Sequence, residues 1–334
     1  MKILIIGGTG NISRWFTRSL AESGADITLY NRGTSDLSFS GKVRCIKGDR
    51  TDRSTFRRQM QEVGVFDCVI DMVGFEPEDA RQDVEVFQGR TAQFIFCSTV
   101  DVYSKQQLSY PVPAGQTPGA SPGFPYAYKK MEMERVFMEA FERQGFPVTV
   151  IRPAATYSEG VSPLLTPFGR QSYHLDRLQK GLPVVVHGDG HSIWVEAHAS
   201  DVAGAFTGAI GNPLSIGKCY DVPGGELLTW RSMYTIVAEE LGAPPPGFVC
   251  IPTEVLGKLA PAESEWCRMN FQYNNIFDAT AARQDLGYRY TISYREGVRR
   301  CLAYLRDRGL IEDARRYPFY EALLEKWTRL TFNN

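Results

Sequence analysis

Lys2-Ile3-Leu4-Ile5-Ile6-Gly7-Gly8-Thr9-Gly10-Asn11-Ile12-Ser13 is the stretch on which the fold turns: an apolar run, a glycine-rich turn and the start of a helix. Apolar residues without alternation mark a strand covered on both faces, as in a parallel sheet. Gly7 permits the tight turn, and Gly10 lets main chain come close to a ligand. The N–H groups that open the next helix, predicted over about residues 12–23, carry partial positive charge and have no intrahelical partner. With Thr9, Asn11 and Ile12 in the loop, strand, turn and helix start form a seat for the pyrophosphate of a dinucleotide. Ser13 stands where the usual fingerprint has its third glycine.

Outward from this turn, strand and helix signals alternate. Strands are predicted over 27–30, 43–46, 67–73, 93–97 and 148–151, and helices over 54–63, 80–88 and 126–143. That alternation predicts an α/β fold, a Rossmann doubly wound parallel sheet with a smaller C-terminal substrate-binding domain. The 334 residues suit about two domains. Residues 1–155 are expected to form the dinucleotide-binding domain, rejoined by about 195–222. Residues 156–194 and 223–334 are expected to form the substrate domain, ending in an amphipathic helix that carries Phe319, Leu323, Leu324 and Trp327 on one side. Pro and Gly are dense over 110–125, which predicts a long loop.

Lys and Arg number 37 against 38 Asp and Glu, a net charge of -1, which disfavours nucleic-acid binding driven by a basic surplus. No apolar run reaches the about 20 residues of a membrane span. Seven scattered cysteines without a C-x-x-C pair favour a reduced, cytoplasmic protein over a disulfide or zinc framework. His187 and His191 flank Gly188 and Gly190, so they belong to a turn, and no metal site is expected.

Asn31-Arg32-Gly33 ends the second strand, where NAD-selective folds carry an acid. Arg32 would pair with a 2′-phosphate, which favours NADP over NAD; its bland alternative is a loop arginine stacked on adenine. After the third strand, Asp49 of Gly48-Asp49-Arg50 would accept from the adenine amine. The fifth strand ends in Ser98-Thr99-Val100-Asp101-Val102-Tyr103, and Tyr126-Ala127-Tyr128-Lys129-Lys130 follows the loop. On a helix, Tyr126 and Lys130 share a face. An ammonium beside the phenol would favour the phenolate, making Tyr126 a base for a substrate hydroxyl held by Thr99.

These motifs, with Arg152-Pro153, Gly188-Asp189-Gly190, His198, Asp201-Val202-Ala203 and Asp285-Leu286-Gly287-Tyr288, resemble the extended short-chain dehydrogenase/reductase family of nucleotide-sugar epimerases and dehydratases. The opening segment, Asn31-Arg32-Gly33 and residues 67–75 are most similar to an atypical branch near the chloroplast stem-loop-binding proteins, some of which are described as RNA-associated. The resemblance implies transient oxidation of a sugar hydroxyl by NAD(P), chemistry on the ketone, and hydride return. It also implies that Arg50, Val73, Ser98 and Pro153 join the cofactor site, that Phe75 and His198 face substrate, and that a homodimer forms through the helices starting near Ala80 and Tyr126. Asp101 stands where the family's dehydratases carry a proton-abstracting acid, which favours elimination over epimerisation. Trp194 replaces the arginine that clamps a substrate diphosphate. It is either a stacking surface for a nucleoside or glycoside, or core packing. A net reductase and an RNA-associated protein with a vestigial site are the rival functions.

Overall fold

The computed structural model of the chain describes residues 1–34 and 39–332. They fall into two compact units, the first formed by Met1–Thr156, Ala199–Pro223 and Phe277–Thr291, the second by Tyr157–His198, Gly224–Ile276 and Ile292–Asn334.

In the first unit, strands β1 (Lys2–Ile6), β2 (Asp26–Asn31), β3 (Val43–Lys47), β4 (Cys68–Asp71), β5 (Phe94–Cys97), β6 (Val148–Pro153) and β7 (Cys219–Val222) form one sheet in the order β7-β6-β5-β4-β1-β2-β3. Every neighbouring pair is parallel. Helices α1 (Ser13–Glu22), α2 (Arg53–Glu62), α3 (Pro77–Phe87), α4 (Pro125–Gln144), α5 (Ala199–Ala209) and α6 (Thr280–Leu286) complete the unit. α1 packs with α5, where Phe16 stacks on Phe206 at 5.3 Å, and α3 packs with α4. A cluster of Phe94, Phe96, Phe137 and Phe146 fills the interior between sheet and helices. Burial on both faces accounts for the unbroken apolar strands.

Register decides where the chemistry goes. Ile6 pairs with Tyr30 on one side and with Asp71 on the other, so the loops after β1, β2 and β4 leave one edge at one level. Because β1 and β4 are neighbours with connections running opposite ways, a crevice opens at that edge.

Residues 277–291 depart from the linear division, which gave them to the second domain. Thr291 donates from its N–H and hydroxyl to Asp201 at 2.7 and 2.6 Å. A Cβ on Gly208 would lie 1.9 Å from the Leu286 carbonyl, so only glycine lets α5 and α6 approach this closely. Asp201 and the segment around Asp285 thus tie this stretch to the first unit.

The second unit pairs Val184–His187 in parallel with Phe248–Ile251 and surrounds them with helices that include Tyr173–Gln179, Trp230–Leu241 and Tyr294–Asp307. Its last helix, Phe319–Phe332, is anchored by Tyr320 and Leu323, and the Tyr320 hydroxyl accepts from the Val185 N–H at 2.7 Å. Phe319, Leu324 and Trp327 are only half-buried. Among the described residues no disulfide forms, no cluster of metal-ligating side chains occurs, and no helix is long and apolar enough to cross a membrane.

Candidate active site

The glycine turn is tightly made. Gly7 adopts φ +85°, and a Cβ there would lie 2.4 Å from Val73. Ser13 closes the turn: its hydroxyl accepts from the Gly10 N–H at 2.8 Å and donates to the Gly7 carbonyl at 2.7 Å. Serine therefore replaces the missing glycine with two hydrogen bonds. No side chain caps the N-terminus of α1, and the Arg14 and Trp15 N–H groups close the first turn on the Gly10 and Ile12 carbonyls at 3.1 Å. Asn11 reaches Thr156 at 3.3 Å, which places it near the end of β6 and Pro153.

A cavity of about 610 Å³ runs from this turn past the ends of β2, β3 and β4. Gly7, Thr9, Gly10, Asn31, Arg32, Asp49, Arg50, Val73 and Phe75 line it, together with Tyr30, Thr34, Gly48 and Thr51, which the motif reading missed. The helix start at one end, with its partial positive charge, and the glycine-lined floor suit a dinucleotide. Arg32 is exposed at the rim. Asp49 accepts from the Thr51 N–H and hydroxyl at 2.9 and 2.7 Å, and these bonds, with Arg32 nearby, hold its carboxyl below the usual range. Ser98, at the end of β5, has a buried hydroxyl with no partner among the described residues.

Arg50 lines the cavity and is also held from within the protein. Its buried guanidinium bonds Asp71 at 2.6 Å and Asp83 at 3.0 Å, and its Nε lies 3.7 Å from Asp79. The missed signal was the i, i+4 pair Asp79 and Asp83 on the inner face of α3, with Asp71 closing β4.

The one-turn helix Val100–Val102 is capped by Thr99, whose hydroxyl accepts from the Asp101 N–H at 3.2 Å. The Tyr126 phenol lies beside Thr99. Burial, with the Asp101 carboxylate nearby, raises the phenol above its ordinary pKa, and Thr99 opposes this. Lys130 is buried, and its ammonium donates to the Gly74 and Cys97 carbonyls at 2.8 and 2.7 Å, with the Phe75 and Phe96 rings within 5 Å. Burial holds its pKa below the usual lysine value. In the free protein the Lys130 ammonium is engaged by main-chain carbonyls, and burial pushes the Tyr126 phenol up. Asp101 carries a partner not foreseen, Lys105, at 2.7 Å.

Two residues expected at the substrate lie inside the second unit. Trp194 packs against Trp230 and Phe271, each with centroids at 5.2 Å or, between Trp230 and Phe271, 5.5 Å. Core packing, the second of its two readings, describes its place. His198 is fully buried, 3.2 Å from Glu159 and edge-on to Tyr157.

Comparison with known proteins agrees with this geometry. Residues 3–222 match the model of the NAD dependent epimerase/dehydratase family. The chain is 29% identical over 262 residues to the chloroplast stem-loop binding protein of 41 kDa b of Arabidopsis thaliana, spanning 74% of this chain and 65% of that relative's length. It is 23% identical over 244 residues to the 2′-dehydrokanamycin reductase of Streptomyces kanamyceticus, spanning 73% of this chain and 68% of the relative. The UDP-glucose 4-epimerase of Thermotoga maritima superposes with a TM-score of 0.73 at 19% identity, over 92% of this chain and 99% of that one, which shows the shared fold. With the family pattern running through two-thirds of its length, from the first strand of the sheet to the last, the chain belongs to the NAD-dependent epimerase/dehydratase family.

Proposed function

We propose that the chain is an NAD(P)-dependent epimerase or dehydratase that transiently oxidises one hydroxyl of a sugar-containing small molecule. The observation that carries this reading is the gathering at the end of β5 of Thr99, the Tyr126 phenol beside it, and the Lys130 ammonium, which donates to the strand's last carbonyl. The glycine turn, Asn11, Ile12, Asn31, Arg32, Asp49, Val73, Ser98 and Pro153 hold the dinucleotide, which supplies a hydride acceptor and donor when bound.

Tyr126 takes the proton of the substrate hydroxyl, and Thr99 holds the same oxygen in line. Raised by burial, the phenol ionises only when positive charge comes near, which links its basicity to cofactor binding. Asp101 then handles the proton on the carbon next to the new ketone, with Lys105 as its counter-ion. An acid at this place favours dehydration over epimerisation. A net reductase is the second reading, favoured by the similarity to 2′-dehydrokanamycin reductase.

Native mass spectrometry with denaturing extraction identifies any co-purified dinucleotide and substrate. With that substrate, absorbance at 340 nm separates the readings: a redox-neutral cycle leaves it flat, and a reductase consumes reduced cofactor. Tyr126→Phe should keep cofactor and lose about 10³-fold in turnover; unchanged turnover removes Tyr126 from the mechanism.

A further inference from the structure

The loops after β3 and β4 form facing parts of the cavity wall, and one buried side chain joins them. Arg50 leaves the β3 loop, donates to Asp71 at the end of β4, and reaches Asp83 and the Asp79 carbonyl on α3. Those same acids hold the main chain of the β4 loop. Asp71 accepts from the Val73 N–H at 2.9 Å, and Asp79 accepts from the Phe75 and Glu76 N–H groups at 3.0 and 3.1 Å. Gly74 lies so close that a Cβ there would sit 2.4 Å from Asp71, and its carbonyl receives the Lys130 ammonium.

We propose that Arg50 is a positioning residue. With Asp71 and Asp79 it straps residues 73–76 into the shape that lines the dinucleotide cavity and seats Lys130, without itself donating to the ligand. The inference rests on the dinucleotide reading above. Its physical basis is charge balance. Asp71 and Asp83 are fully buried and are kept in place by the guanidinium they share, with Arg53 at 3.4 Å completing the neutralisation of Asp79. Asp71 and Asp79, which each accept main-chain N–H bonds, stay correctly aimed only while that cation is between them.

The test uses the full chain, with NADPH and NADH titrated by fluorescence and main-chain opening followed by amide hydrogen exchange. Asp71→Asn keeps the shape but turns an amide toward the guanidinium. It should weaken binding of the preferred dinucleotide about tenfold and speed exchange at residues 73–76, while β6 and β7 exchange as in the wild type. Arg50→Met should do the same more strongly; should it not fold, Asp71→Asn carries the test. Affinity within twofold of wild type, or weakened affinity with exchange at 73–76 unchanged, overturns the strap. Faster exchange throughout the first unit overturns it too, since that is general destabilisation. A wild-type chain that binds neither dinucleotide overturns the dinucleotide reading and this inference with it.

Discussion

The two units bury their polar groups in different ways. In the first, charged side chains gather beneath one edge of the sheet. Arg50 shares three carboxylates there, and Arg152 grips Glu134 through two bonds of 2.9 and 2.6 Å while its Nη1 donates to Tyr103, which donates to Asp221. In the second, His187 lies edge-on to Trp230, and His174 lies among Tyr173, Phe168 and Tyr320. Charge buried in pairs costs desolvation that packed rings avoid. It is retained where loops must be held in one conformation around a ligand; in the second unit the pairs Arg170–Glu196 and Arg177–Glu321 each keep one partner nearer the solvent, and burial pushes His174 and His187 toward the neutral form.

Breaking the pairs should therefore cost more than any change among the rings of similar size. Arg152→Met strands Glu134 and leaves Asp221 facing it, and should lower stability by about 3–5 kcal/mol in urea denaturation. Adding Glu134→Leu should recover most of that loss. A single variant as stable as wild type would show that Glu134 reaches water.

The contrast also predicts opposite responses to pH. Burial pushes the Asp221 carboxyl up to about 7, against the opposing pull of Arg152 and the Tyr103 bond. The folded chain then binds a proton that the unfolded chain releases above about 4, so this stabilisation is full at low pH and is lost as pH rises toward 7. Burial lowers His174 to about 3, with Arg177 adding to the effect, and lowers His187 to about 4. Here the unfolded chain takes up protons first, so stability is full above about 6.5 and is lost as pH falls. Asp221→Asn should stabilise the chain by about 3 kcal/mol at pH 8 and by little at pH 4, and His174→Gln should gain at pH 4 relative to pH 8. Slopes of the same sign for both variants would break the comparison.

How legible these features are in the sequence follows from how local they are. The strand–glycine–helix start, the parallel order and the Tyr126/Lys130 spacing are written within a few residues each, and the sheet and cavity follow from them. Ser13 reads as a missing glycine until its hydroxyl is seen to bridge Gly10 and Gly7. Arg50 itself lines the cavity, as its motif position suggests, but the carboxylates that hold its guanidinium lie 21 and 33 positions away, a distance no local pattern spans. Residues 277–291 return to the first unit through Asp201 and Gly208, contacts between segments about 80 residues apart. Trp194 occupies a motif position whose chemistry changed, and only its neighbours Trp230 and Phe271 show that it packs.

The smallest effect concerns an exposed charge rather than a buried one. Arg32 lines the cavity beside Asp49, whose carboxyl the Thr51 bonds keep ionised. An anionic Asp49 alone would repel a 2′-phosphate, so any preference for NADP must come from Arg32 overcoming that repulsion. At a solvent-exposed site such a pair is screened by salt, and its contribution is about 1–2 kcal/mol. Arg32→Glu should weaken NADPH about tenfold in low salt and leave NADH within about threefold. Raising the salt should narrow the wild-type preference, which no buried pair in the first unit would do. Equal affinity of the wild type for both dinucleotides would mean that Arg32 stacks on the adenine instead of pairing with phosphate, and Arg32→Glu would then weaken both alike.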